Sequence, residues 1–98
     1  MEISEVVPDG YTIIPMTFEQ GPLGCTLRRI KSIGKVTVPH VEKTGQARKM
    51  HVCLGDQVWA VGRITLGNTP VNEEVMDNIV QLIKVMRPIT ITFLRKET

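Results

Sequence analysis

The residues able to do covalent or metal chemistry are few and widely separated. Cys25 and Cys53 lie 28 positions apart, no Cys-x-x-Cys pair is present, and His40 and His51 have no carboxylate or cysteine at a ligand spacing. Structural zinc sites and dithiol redox sites need such close spacings. Neither serine lies in a nucleophile elbow, a phosphate-binding loop or a dinucleotide-binding fingerprint. The sequence therefore predicts two reduced, half-buried thiols, with no enzymatic activity, no cofactor and no metal site.

Basic residues are concentrated in one part of the chain. Residues 28–49 contain seven Lys or Arg and a single Glu, a net charge of +6 against +2 for the whole chain. Such a segment suits a solvated surface of loops and edge strands, and it also suits contact with anionic lipid or an acidic peptide. Only four aromatic residues are present, which argues against binding of nucleic acid because such domains stack bases on aromatic rings.

Length and composition predict a single folded domain. The chain has 98 residues, 42% of them hydrophobic and 22% charged, which is close to average globular usage. No apolar run approaches the roughly 18–20 residues that a membrane-spanning helix needs, and residues 1–10 lack the basic start and apolar centre of a signal peptide. We therefore expect a flexible lead-in over residues 1–10 and one domain over residues 11–96, monomeric in isolation.

Alternation of apolar and polar residues predicts mostly short strands. Pro15 lies in the first of them and argues for an edge position, because proline has no amide to donate. Thr69-Pro70 predicts the start of a long helix, since Thr caps helices and Pro suits their first position. The predicted strands cover residues 11–18, 25–30, 36–38, 57–61, 63–66 and 89–94, with a helical turn at 46–50 and the long helix at 70–86.

These elements are joined mostly by short connections, which favours antiparallel pairing. We expect a mainly β (α+β) fold, a partly open antiparallel β-sandwich or barrel of five to six strands capped by one short and one long helix. Trp59 falls on an inward-facing strand position and is expected in the core.

Three blocks of the sequence resemble one family. Residues 21–27, Gly-Pro-Leu-Gly-Cys-Thr-Leu, resemble the Gly-Leu-Gly-Phe loop and following strand of PDZ domains. Residues 41–47 and then 54–61, Leu-Gly-Asp-Gln-Val-Trp-Ala-Val, resemble their middle block, and residues 79–91 resemble their second helix and last strand. The blocks occur in the order of an unpermuted, eukaryotic-type PDZ domain and cover roughly residues 11–95. The resemblance implies a PDZ-like fold and a module for protein–protein interaction.

The resemblance also implies that the domain binds the free C-terminus of a partner protein. The backbone amides of Leu23, Gly24 and Cys25 would hold the terminal carboxylate as an anion nest, and Gly24 has no Cβ to obstruct the ligand backbone. The peptide would add as an antiparallel strand to the open edge of strand 25–30, opposite helix 70–86. Beyond Leu23 and Cys25, the peptide-binding groove is expected to include Thr26, Leu27, Arg28, Arg29, Met76, Val80 and Ile83.

Ligand preference at the last position follows from the expected terminal pocket of Leu23, Cys25, Leu27 and Ile83. Cys25 stands where the family usually has a larger aromatic residue, so the pocket is expected to admit Leu, Ile or Phe.

Preference at the third-from-last position depends on the register of the long helix. Matching residues 79–84 to the family pattern makes Met76 the first groove-facing residue, with Ile79, Ile83 and Met86 facing the core. Asn72 and Val75 are the alternatives, and the Val75 register would bury Asn78 without a partner. The Met76 register predicts a hydrophobic ligand residue, whereas Asn72 would make the selecting residue polar.

One feature of the family is missing from the expected site. A Lys or Arg often precedes the carboxylate-binding loop, but Glu19 and Gln20 occupy that stretch here. Carboxylate capture would then depend on the amides alone, with Arg29 or Lys84 as a distant substitute. Basic residues at the far end of the groove are expected to favour acidic ligand residues further upstream; they are Arg28, Arg29, Lys31 and Lys35.

Three functions follow as expectations. The first is an adaptor or scaffolding module that binds C-terminal peptides of other proteins, membrane proteins among them, in the cytoplasm or at the inner face of a membrane. The second is a regulatory or substrate-sensing domain of a larger multidomain enzyme, such as a protease or kinase. The third is a membrane-surface module that binds anionic lipid through the basic segment of residues 28–49.

Overall fold

In a computed structural model, residues 6–97 are described and form an antiparallel six-stranded sheet with two helices. The predicted mainly β, α+β fold is confirmed at this level. In chain order the elements are β1 (Tyr11–Phe18), β2 (Cys25–Ile30), β3 (Lys35–Val41), α1 (Gln46–Lys49), β4 (Gln57–Val61), β5 (Ile64–Thr65), α2 (Glu73–Val85) and β6 (Ile89–Lys96). Half of the predicted lead-in, residues 1–5, lies outside the described residues.

The sheet has the strand order β1-β6-β4-β3-β2, and the short β5 pairs with β4. This order places β1 at one edge, so the position expected from Pro15 is confirmed, and Pro15 lies opposite Thr92 of β6. It places β2 at the other edge, paired with β3. A register shift between Thr26 and Arg28 falls opposite Pro39 of β3, at a point where a proline costs no ladder hydrogen bond.

The core lies between one face of the sheet and α2. Phe18 of β1 and Phe93 of β6 are fully buried and meet edge to face, with ring centroids 6.5 Å apart. From the helix, Ile79 and Ile83 are buried against this cluster, as their 3.6-residue spacing predicts. Trp59 is buried as expected.

The long helix starts later than the sequence predicts. The expected range was 70–86, but α2 begins at Glu73, and Asn72 caps it by accepting the Val75 N–H (2.9 Å). Thr69-Pro70 cannot start the helix because Val71 is buried and donates its N–H to the Gly34 carbonyl (2.8 Å) instead. The helix ends at Val85, and Met86, expected in the core, is 54% exposed because the chain leaves the helix there.

One buried ion pair ties the last strand to the turn before β4. The Asp56 carboxylate, 3% exposed, accepts from Arg95 Nε (3.0 Å) and Nη2 (2.7 Å), and from the Cys53 N–H (3.0 Å). The hydrogen bonds to Asp56 raise the pKa of Arg95 above its usual value. Cys53 itself is exposed, so the prediction of two half-buried thiols is wrong for this one.

Within residues 6–97 no helix combines the length and apolar character needed to cross a membrane.

Candidate functional site

A cleft opens between the edge strand β2 and the helix α2. It contains an open cavity of about 270 Å³. Five residues predicted for the groove line this cavity: Leu23, Cys25, Leu27, Val80 and Ile83. Two further lining residues, Lys84 and Arg87, were not among the predicted groove residues. The walls are mostly apolar, and the two charged side chains come from the C-terminal end of α2.

Backbone amides of the loop before β2 have no hydrogen-bond partner within residues 6–97. No hydrogen bond within residues 6–97 uses the N–H of Leu23 or Gly24. The Glu42 N–H donates to the Gly24 carbonyl (2.8 Å), and Cys25 lies opposite Val41 of β3. That pattern makes Cys25 and Val41 a non-hydrogen-bonded pair, so the Cys25 amide points away from β3, towards the open edge. Leu23 and Cys25 line the cavity, whereas Gly24 lines a separate hollow on the side of α1.

The predicted role of Gly24 is clearance for the ligand backbone, but in the structure its missing Cβ makes room for α1. Its φ is +84°, a conformation that favours glycine, and a Cβ there would lie 3.3 Å from the amide nitrogen of Gln46. That Cβ would therefore face α1 and not the cleft. Gly45 packs against Gly24 from the other side, since its own Cβ would lie 3.4 Å from the Gly24 Cα. The missing side chains bring α1 against the loop, and the Ala47 N–H donates to the Leu23 carbonyl (2.9 Å).

A side chain of α1 holds the loop in place. Gln46 Oε1 accepts from the Glu19 N–H (2.6 Å), and Gln46 Nε2 donates to the carbonyls of Glu19 (3.0 Å) and Pro22 (3.1 Å). The partners are 24 to 27 positions away in the sequence, and sequence reasoning did not identify this contact.

Arg87, just beyond α2, holds the same loop from the other side. Its Nη1 donates to the carbonyls of Glu19 (2.6 Å) and Gly21 (2.5 Å), and its Nε donates to the Ile83 carbonyl (2.8 Å). Sequence reasoning missed this residue because it looked for a cation in the stretch before the loop, where Glu19 and Gln20 stand. In the sequence, this role is indicated only by the position of Arg87, a basic residue directly after a helix whose last turns face the groove.

The helix presents Val80 and Ile83 to the cavity, followed by Lys84. One turn earlier on that face is Met76, which is half-buried and packs against the core. Asn72 lies outside the helix as its cap. Asn78, which the Val75 register would bury, is exposed. The geometry therefore places Met76 next along the groove, although Met76 does not line the cavity itself.

The other predicted groove residues lie elsewhere on β2. Thr26 and Arg28 are exposed, on the face of β2 opposite to Cys25 and Leu27. Arg29 lines a separate open cavity at the far end of the cleft, where its Nη2 lies 3.6 Å from the Glu73 carboxylate. That cavity also contains Asn72, Glu74, Asp77 and Asn78. The far end is therefore more acidic than the sequence predicted, and the charge of Arg29 is already matched by a carboxylate.

A close backbone contact joins the tip of the β2–β3 hairpin to the start of α2. Gly34 has φ +65°, and a Cβ there would lie 2.8 Å from the Pro70 Cβ. The Val71 N–H donates to the Gly34 carbonyl (2.8 Å). Together with the Arg87 contacts at the opposite end, this contact connects α2 to the β2 side at both ends of the cleft.

One thiol, that of Cys25, lies in the cleft. Burial raises the pKa of the Cys25 thiol to about 11, so it stays protonated and neutral at physiological pH. Both cysteines are free, and no group of three or more His, Cys, Asp or Glu within residues 6–97 could hold a metal ion. The site offers amide donors, one apolar cavity and two cationic side chains.

Compared with known proteins, the sequence matches no family model and no curated protein at a significant level.

Proposed function

We propose that this chain is a PDZ-like module that binds the free C-terminus of a partner protein. The support for the family is the resemblance of residues 21–27, 41–61 and 79–91, together with a six-stranded antiparallel sheet, one short helix and one long helix. The proposed setting is the cytoplasm, with C-terminal tails of membrane proteins among the partners.

The observation that carries the proposal is that the amides of Leu23, Gly24 and Cys25 have no partner within residues 6–97, and that Leu23 and Cys25 line an apolar cavity. A carboxylate needs several N–H donors, and amides fixed by surrounding structure bind it without a competing side chain. An adjoining apolar cavity suits the side chain of a terminal residue. The two features together match a peptide that ends in a hydrophobic residue.

The open edge of β2 supplies the second part of the interaction. β2 ends the sheet, so its outward N–H and C=O groups are available to an added strand. A peptide lying antiparallel to β2 would gain main-chain hydrogen bonds of the kind used in β-augmentation. Its alternate side chains would then point towards α2 and the cavity.

Specificity is proposed at two ligand positions. The last side chain enters the cavity between Cys25 and Ile83, whose volume of about 270 Å³ accommodates Leu, Ile or Phe. The third-from-last side chain packs against Met76 and Val80, which favours a hydrophobic residue over Ser or Thr. Upstream, the far end carries Glu73, Glu74 and Asp77 around Arg29, so a preference for acidic residues there is no longer expected.

Fluorescence polarisation tests this function. Labelled peptides with varied last and third-from-last residues are titrated with the protein, each as the free acid and as the C-terminal amide. Micromolar binding, about −8 kcal/mol, that disappears on amidation supports carboxylate capture. Binding that is indifferent to amidation, or none with any peptide, contradicts it.

A further inference from the structure

We propose that Arg87 binds the ligand carboxylate directly, through its Nη2 nitrogen, and so replaces the cation missing from the loop. This inference rests on the proposed function and names the residue that gives the site its charge. Leu23 and Cys25 share the cavity with Arg87.

One nitrogen of the Arg87 guanidinium, Nη2, makes no hydrogen bond within residues 6–97. Arginine has five N–H donors in a fixed fork: one on Nε and two on each Nη. The Nε donor is used by the Ile83 carbonyl, and the two Nη1 donors are used by the carbonyls of Glu19 and Gly21. No hydrogen bond within residues 6–97 involves Nη2. The three existing bonds fix the plane of the guanidinium and hold Nη2 in place for a ligand.

The charge of Arg87 is also unmatched. Its three partners are neutral carbonyls, and none of the ion pairs formed within residues 6–97 includes it. A carboxylate next to the guanidinium would form a charge-assisted hydrogen bond, which is stronger than a bond between neutral groups.

The other two cations considered for this role are less suitable. Arg29 lies at the far end of the cleft and is already 3.6 Å from the Glu73 carboxylate. Lys84 lines the cavity, but its side chain is exposed and makes no hydrogen bond within the described residues, so ordering it on a ligand costs side-chain entropy. Arg87 is the cation whose position is already fixed by the protein.

The test compares how strongly each variant distinguishes a free-acid peptide from its amide. Arg87→Gln removes the charge and leaves an amide that reaches about as far as Nε, and Arg29→Gln is the matched control at the far end. We expect the ratio of the amide Kd to the acid Kd to fall about tenfold in Arg87→Gln, as loss of a charge-assisted bond implies, and to stay within twofold of wild type in Arg29→Gln. If Arg87→Gln weakens binding of the free-acid peptide and of its amide by the same factor, Arg87 acts only on the shape of the loop. If the ratio of the amide Kd to the acid Kd falls in Lys84→Gln and not in Arg87→Gln, Lys84 is the binding cation. Either result overturns the inference.

A measurement on the wild-type protein covers the case in which Arg87→Gln does not fold. The Nε–Hε resonance of Arg87 is followed by NMR during titration with the acid and the amide of one peptide. A shift with the acid that is at least several-fold larger than with the amide supports direct contact, and equal shifts contradict it. Amidation-sensitive binding with equal shifts refutes only the role of Arg87, whereas absence of amidation-sensitive binding refutes the proposed function.

Discussion

Removing the side chain of Gln46 should loosen the loop before β2 without disturbing the groove walls. Gln46 makes three hydrogen bonds of 3.1 Å or less to the loop, at Glu19 and Pro22. All three are at exposed positions, so each contributes near the lower end of the usual range, about 0.5 kcal/mol. Gln46→Ala is expected to lower the free energy of unfolding by about 1.5 kcal/mol.

The effect on peptide affinity should be of similar size. In the wild type the loop is held before a ligand arrives, whereas in Gln46→Ala the ligand must order residues 19–22 on binding. Ordering flexible backbone costs roughly 1 kcal/mol per residue, and a partial loss of order over this segment lowers affinity by about tenfold, or about 1.4 kcal/mol.

The assay pairs urea denaturation with fluorescence polarisation, using Arg48→Ala as the control because Arg48 is exposed on the same short helix. The control should change the free energy of unfolding by less than about 0.5 kcal/mol and leave affinity unchanged. Wild-type affinity in Gln46→Ala, or the same loss in both variants, would refute the reasoning that Gln46 preorganises the loop.

Three further predictions concern the core, the groove wall and the thiols. Arg95→Met leaves its buried carboxylate partner without a cation and should cost about 3 kcal/mol of unfolding free energy in urea denaturation, whereas a loss below about 1 kcal/mol would show that the pair is dispensable. Val80→Glu puts a charge into the cavity wall and should weaken peptide binding more than tenfold by fluorescence polarisation, while the same charge at the exposed Gln81 (Gln81→Glu) should change it less than twofold; equal losses would show that the helix face is misassigned. Iodoacetamide at pH 8.5 should alkylate the exposed Cys53 well before the half-buried Cys25, as followed by mass spectrometry, and equal rates would contradict the raised Cys25 pKa. Because that pKa rises from 9.0 to about 11 on folding, the unfolded chain ionises first, so the stabilising contribution is complete below pH 9 and is lost as pH rises through about 11.

Local patterns account for most of the elements. β1, β2 and β4 begin and end where the sequence predicts, because turn residues lie beside each of them. The start of α2 was not predictable in the same way. Thr69-Pro70 is a good local start signal, but the long-range bond between Val71 and Gly34 keeps the chain extended until Asn72.

The candidate site also combines features that the sequence predicts with features that depend on long-range contacts. The loop was found through the resemblance of residues 21–27 to a family motif, and the apolar face of α2 follows from the spacing of its apolar residues. The side chains that hold the loop do not, because Gln46 lies 27 positions and Arg87 lies 68 positions from Glu19. Their roles depend on the packing of both helices against the loop, which a single sequence does not encode in any short pattern.

The attachment of α2 at both ends of the cleft has a kinetic consequence. The hairpin tip holds its start through Val71 and Gly34, and the loop holds its end through Arg87. The width of the cleft is therefore set in the free protein, and the proposed association with a peptide would not require the protein to open first. Association rate constants should then be similar across different peptides, and affinities should differ chiefly through the lifetime of the complex. A partner could be exchanged quickly whenever its last residue fits the cavity poorly.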